Sequence, residues 1–220
     1  MISGISTKRN DHIILMGLYS KYLLPRLTHW VCGQNLTMRQ REKVIPLAKG
    51  RILEIGIGSG LNLPYYNPSE VKHLTGLDPS KENWELARID GHDFGFNIEF
   101  IPAYAGNIPL DNNQFDSAVI TYTLCSIKDP IDSLIEIRRV LKPSGQLIFC
   151  EHGLAPDRKV QLWQRKLNPF WRRISGGCNL NRNIPELLLE GGFKINELDT
   201  MYLPGCKITG FNYWGVGKVI

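Results

Sequence analysis

Two carboxylates flanking a run of alternating glycines are the residues in this chain best suited to do chemistry. In Arg51-Ile-Leu-Glu-Ile-Gly-Ile-Gly-Ser-Gly60, Glu54 precedes Gly56, Gly58 and Gly60. Glycine tolerates positive φ and lets a ligand approach the backbone with no Cβ in the way. A carboxylate beside such a loop repels phosphate but suits a cationic ligand or a hydroxyl donor. The second acid, Asp78, closes Leu74-Thr-Gly-Leu-Asp-Pro-Ser80. It stands about 20 residues beyond the loop, the spacing at which a second-strand carboxylate takes both ribose hydroxyls. A dinucleotide is disfavoured, because Leu61 occupies the third glycine position of Gly-x-Gly-x-x-Gly. Further along, His152 follows Glu151 and titrates near neutrality. It reads either as a general base or as a post hydrogen-bonded to backbone, and the residues leave both open.

These groups need strands that end together. Short β-branched runs at 52–55, 74–78, 98–101, 117–122 and 146–150 read as buried strands of a parallel sheet. Helical patterns fall between them, at about 82–89 and 130–141. Lys142-Pro-Ser-Gly145 reads as a tight turn into the fifth strand. A short helix start is expected after the glycine loop, at Asn62-Leu-Pro-Tyr65. Helices at 157–173, interrupted by Pro169, and 182–189 precede two final strands that begin at Phe193 and Phe211. In the first of these, Val160, Trp163 and Leu167 are expected to share a face. Before the first strand, the pattern over 13–30 is helical, with Pro25 expected to kink or split it. A helix over 38–48 follows, with Arg39, Arg41 and Lys43 expected to be solvated. The domain reading is one unit, 1–220, with an N-terminal helical extension over about 11–48.

The chain has 220 residues, 43% hydrophobic and 21% charged, which suits one folded domain rather than disorder. A net charge of +5 does not call for nucleic acid. No apolar stretch is long enough to span a bilayer, and no signal-peptide series is present, so the expected compartment is cytoplasmic, with peripheral membrane contact open. Five cysteines, odd in number and without a Cys-x-x-Cys pair, lead to an expectation of free thiols and no metal site. Six cations at Arg158, Lys159, Arg165, Lys166, Arg172 and Arg173 accompany Trp163, Phe170 and Trp171, with no acid after Asp157. They read as a solvated helix face or as a surface for anionic lipid.

The combination Glu-x-Gly-x-Gly-x-Gly with Leu-Asp-Pro-Ser resembles the class I S-adenosylmethionine (SAM)-dependent methyltransferases. The resemblance implies a Rossmann-like α/β fold, a seven-stranded sheet with helices on both faces and an antiparallel final strand. It implies SAM as cofactor, held by Glu54, Gly56, Gly58, Gly60, Asn62, Asp78, Pro79, Ala105, Thr123 and Cys125. In the family an acid often binds the adenine amine where this chain has Tyr104, so the adenine edge falls to the backbone of Ala105 or to a side chain elsewhere. Gly58-Ser-Gly-Leu-Asn-Leu-Pro64, Thr123-Leu-Cys-Ser126, Glu151-His152, Trp163-Gln164, and Gly177-Cys178 with Arg182 occur in order. That set is similar to the thiol S-methyltransferases and their bacterial relatives. It implies a small, apolar acceptor such as a thiol, met by Tyr19, Trp163, Cys178 and Arg182, with His152 as candidate base. A phospholipid head-group or quinone methyltransferase at a membrane, and a SAM-binding module without turnover, are the competing readings.

Overall fold

The computed structural model describes residues 23–89 and 94–220. Seven strands form one sheet: β1 Gly50–Ile55, β2 Val71–Leu77, β3 Ile98–Ile101, β4 Phe115–Thr121, β5 Leu141–His152, β6 Phe193–Tyr202 and β7 Phe211–Val219. Their spatial order is β3-β2-β1-β4-β5-β7-β6. The first five run parallel, while β7 pairs antiparallel with both β5 and β6. The chain order reverses between β1 and β4, and open α/β sheets bind ligands beyond the strand ends at such a reversal.

Alternation along each central strand fills both faces of this sheet. Leu53, Ile55, Ala118, Ile120, Leu147 and Phe149 enter one core. Ile52, Val119, Ile148 and Cys150 enter the other. The first core is covered by α4 Pro130–Val140 and α6 Ile184–Glu190, which contribute Leu134, Ile137, Ile184 and Leu188. The second receives Val44, from the end of α2 Asn35–Val44. The remaining helices are α1 Leu24–Cys32, α3 Lys81–Ile89 and α5 Arg158–Ile174.

Several local expectations are revised. Pro25 sits in the first turn of α1, where a missing N–H costs nothing, and the part of the expected helix that precedes it lies outside the described residues. The residues expected to begin a helix after the glycine loop make only a 3₁₀ turn, Leu63–Tyr65. The expected turn at Lys142–Gly145 is absorbed into β5 as a bulge: Leu141 pairs with Phe115, and the next pair is Gln146 with Ser117. Helix α5 runs through Pro169 without a break. Among the described residues no helix is long and apolar enough to cross a membrane.

Candidate functional site

The ends of β1, β2 and β4 open into a cavity of about 650 Å³. Its floor is the glycine loop. Gly56 (φ +69°) packs so tightly that a Cβ would lie 2.3 Å from Thr123 Oγ1, so only glycine fits. Gly58 (φ +52°) has only the Gly56 carbonyl oxygen, at 3.8 Å, near its missing Cβ, which leaves room for a ligand against the backbone. Asp78 reaches across from the end of β2. Its Oδ2 accepts the Gly58 N–H at 3.1 Å and its Oδ1 accepts the Ser80 N–H at 2.8 Å. Burial raises its carboxyl pKa, against those two amides, which favour the anion.

Beneath the loop lies a buried polar network. Glu54 is 1% exposed. Its Oε1 accepts from Asn62 Nδ2 at 2.9 Å and its Oε2 from the Tyr66 hydroxyl at 2.7 Å. Desolvation pushes its carboxyl up to about 7, opposed by those hydrogen bonds and by Arg41. Arg41 is 5% exposed, and its Nη1 donates to Asn62 Oδ1 at 2.7 Å and Thr121 Oγ1 at 2.6 Å. Its Nε is a buried donor with no partner among the described residues, and Arg41 lines the cavity. The expectation of a solvated Arg41 is therefore wrong. α2 turns this side chain inward, where Asn62 and Glu54 offset its charge.

The loop after β4 forms the cavity's other wall. The chain turns at Tyr122 (φ +50°) and presents three amides to Glu151, a fully buried carboxylate. Glu151 accepts from Thr123 at 2.7 Å, Leu124 at 2.8 Å and Cys125 at 3.4 Å. It caps this turn and has no hydrogen bond to His152. Arg182 braces the same turn, donating to the carbonyls of Leu124 and Ile127. His152 Nε2 lies 3.0 Å from Cys178 Sγ. Burial opposes the imidazolium, but that contact and Glu151 hold the His152 pKa above its ordinary value. Cys178 is itself raised, by Cys125 and by burial.

Helix α5 reverses the expected pattern. Val160 packs against the core, but the rest of the inner face is polar: Gln164, 1% exposed, accepts from Ala155 N–H and donates to the carbonyls of Gly153 and Ile208, all at 3.0 Å. Asn168 accepts the Leu180 N–H at 2.8 Å. Leu162, Trp163 and Phe170 point outward, 66%, 52% and 66% exposed. Trp163 thus stands in solvent, because glutamine and asparagine take the inward positions to satisfy loop backbone.

Of the residues proposed to hold the cofactor, Gly56, Gly58, Asp78, Pro79, Ala105 and Thr123 line the cavity. Glu54, Gly60, Asn62 and Cys125 do not; they lie behind it. Glu54 in particular does not face the cavity, since both oxygens are engaged by Asn62 and Tyr66. His152, Trp163, Cys178 and Arg182 also lie outside the lining. Tyr19 falls outside the described residues. Sequence reasoning missed Arg41 and, on α1, the residues Thr28, His29 and Cys32, which line the cavity. His29 Nδ1 sits 2.6 Å from Ser59 Oγ. Thr28 and His29, each one turn before Cys32 on a helix whose remaining residues are apolar apart from Arg26, were the available signal.

A methyltransferase-domain family model matches residues 53–149. The human thiol S-methyltransferase TMT1B is 32% identical over 175 residues, covering 74% of this chain and 70% of that protein. The rat TMT1B is 39% identical over 136 residues, where this chain spans 54% of the relative's length. A SAM-dependent methyltransferase from Thermotoga maritima, described as a possible histamine N-methyltransferase, superposes with a TM-score of 0.62 at 21% identity, covering 92% of this chain and 98% of its own. The chain belongs to the class I SAM-dependent methyltransferases. The residues present fit that cofactor: an unpartnered buried guanidinium N–H, an open glycine floor and a carboxylate at the end of β2 meet in one cavity.

Proposed function

We propose that the protein methylates the sulfur of a small, apolar thiol. The observation that carries the reading is a cavity with the cofactor-binding floor on one side and Cys32, Leu61 and Ile127 among its walls. Similarity to proteins named thiol S-methyltransferases supports the acceptor class. Within this reading, Asp78 takes the ribose hydroxyls and the backbone of Ala105 meets the adenine edge. Arg41, on the cavity wall, takes the carboxylate of the amino-acid end with its guanidinium. Bound SAM supplies a methyl on a sulfonium, which is already electrophilic and needs no enzyme nucleophile. The residues then act by alignment and by excluding water, and orientation alone can supply roughly 7–11 kcal/mol. A free thiol ionises near pKa ~8.5, so a proton acceptor raises the rate at neutral pH. His29 on the cavity wall is better placed for that than His152, whose Nε2 faces Cys178.

The test is transfer of labelled methyl from SAM to short alkyl thiols, a demethylated quinol and phosphatidylethanolamine vesicles in parallel. Thiol methylation supports the proposal. Transfer to quinol or lipid but not to thiol overturns it, and SAM binding with no transfer to any acceptor leaves a binding module.

The outward face of α5 favours a second element of the reading, delivery of the acceptor at an anionic membrane surface. Leu162, Trp163 and Phe170 are exposed beside six cations on a helix without an acid, the composition of an interfacial helix. The helix is followed directly by Ser175 and Gly176, which line the cavity. Cosedimentation with phosphatidylserine vesicles is expected at low salt, fading as salt rises and lost in Trp163→Ser/Phe170→Ser. Equal partitioning of that variant and the parent chain would remove this element.

A further inference from the structure

Behind the cavity wall three soft or borderline donors converge from separate elements: Cys125 from the turn after β4, His152 from the end of β5, and Cys178 from the loop after α5. Their Sγ, Nε2 and Sγ atoms lie within 4.8 Å of one another. We propose that Cys125, His152 and Cys178 bind a zinc ion that ties these three segments together behind the cavity wall. This replaces the expectation of no metal, which rested on local cysteine spacing. That rule sees ligands close in sequence, and here they are 26 or more residues apart.

The geometry fits. Tetrahedral zinc with Zn–S of about 2.3 Å and Zn–N of about 2.0 Å sets ligand separations near 3.5–3.8 Å. The 3.0 Å contact between His152 Nε2 and Cys178 Sγ opens by about half an ångström to admit the ion. Two thiolates and an imidazole favour zinc over the hard cations magnesium and calcium, which seek oxygen. The ligands are also fixed from outside. Cys125 is held by its amide on Glu151 and by its carbonyl, which accepts Asn179 Nδ2 at 2.9 Å. The Trp171 indole N–H points at Cys178 Sγ from 3.4 Å, a donor that supports a thiolate ligand. The charges close as well: two thiolates balance the dication, and Arg182 stands over the same turn as Glu151. On binding, each thiol releases its proton to solvent and no redox change occurs. Three protein ligands leave the fourth position to water. Cys178 and His152 are only partly buried, which gives the ion a way in.

The test uses the full chain, purified without a histidine tag from zinc-supplemented culture, with metal content measured by mass spectrometry. About one zinc per chain is expected, falling at least tenfold in Cys178→Ser while Cys206→Ser, at an exposed thiol, keeps it. Cobalt added to the chelator-stripped parent chain is expected to give thiolate charge-transfer absorption and the intense visible bands of a tetrahedral site, which requires no variant to fold. Zinc content below a tenth of an equivalent after dialysis against zinc, with no cobalt bands, overturns the proposal. So does a Cys125–Cys178 disulfide in the protein purified under reducing conditions. SAM affinity and thiol methylation, measured separately, report on the proposed activity whichever way the metal result falls.

Discussion

Replacing Glu54 with glutamine should change the sign of the protein's stability difference across pH. The carboxyl is raised from 4.5 to about 7 because it is buried with only neutral donors in contact and one guanidinium nearby. The native state therefore binds a proton between pH 4.5 and about 7 that the unfolded chain has released. Stability contributed by that proton is fully present below pH 4.5 and is lost as pH rises through about 7. At about 1.4 kcal/mol per decade of proton affinity, the rise is worth roughly 3 kcal/mol. The group is almost fully buried, so solvent screening does not reduce this much. Glu54→Gln cannot titrate, but its amide must present one oxygen to Asn62 and its NH₂ to the Tyr66 oxygen. That leaves the tyrosine proton without its acceptor, at a cost of about 1 kcal/mol. The variant should therefore be slightly less stable than the parent at pH 5 and more stable at pH 8, with the curves crossing between. Urea melts of both proteins at half-unit steps from pH 5 to 8 measure this. Asp78 and Glu151 are also raised by burial, so the parent's slope alone assigns nothing and the difference between the two proteins carries the result. A difference that stays constant across the range would mean that Glu54 is ionised throughout, and the account of the network beneath the loop would fail.

Asp78→Ala should weaken SAM binding by about 30-fold or more, since two hydrogen bonds to a charged acceptor are worth at least 2 kcal/mol together; calorimetry showing an unchanged Kd would misplace the ribose. Arg41→Met should lose at least tenfold in affinity for SAM but little for a SAM analogue lacking the carboxylate, so equal losses for both ligands would count against the proposed contact. Gly58→Val should abolish SAM binding while costing the fold about 1–2 kcal/mol, because the left-handed backbone is strained by a β-branched side chain that also fills the floor; retained binding would show that the ligand does not lie on this glycine.

The sheet was readable because alternation, glycine and turn residues each act over a few neighbours. The strands at 52–55 and 98–101 lie where the β-branched runs put them, and the spacing from Gly58 to Asp78 brings the two into contact at 3.1 Å. What could not be read depends on which way a side chain turns once distant elements meet. Arg41 looks like any basic residue on a surface helix until α2 packs against the sheet and aims it at Asn62 and Thr121. Glu54 was assigned to the ligand on its type, yet the same alternation that buries Ile52 turns it to the underside, where Tyr66 and Asn62 were already in reach. Trp163 is expected to share a face with Val160 and Leu167 and to meet the acceptor, yet Gln164 takes the inward place because three loop backbone groups require partners. At Gln164 hydrogen-bond satisfaction outweighs the preference of a single apolar side chain for the interior: leaving one buried polar group unpaired costs about 1–3 kcal/mol, as much as burying a leucine gains, and three such groups are served. Cys125, His152 and Cys178 come together for the same reason. The turn after β4 is drawn onto Glu151, Arg182 and Asn179 by its own amides and carbonyls, and the thiol arrives beside the imidazole as a consequence.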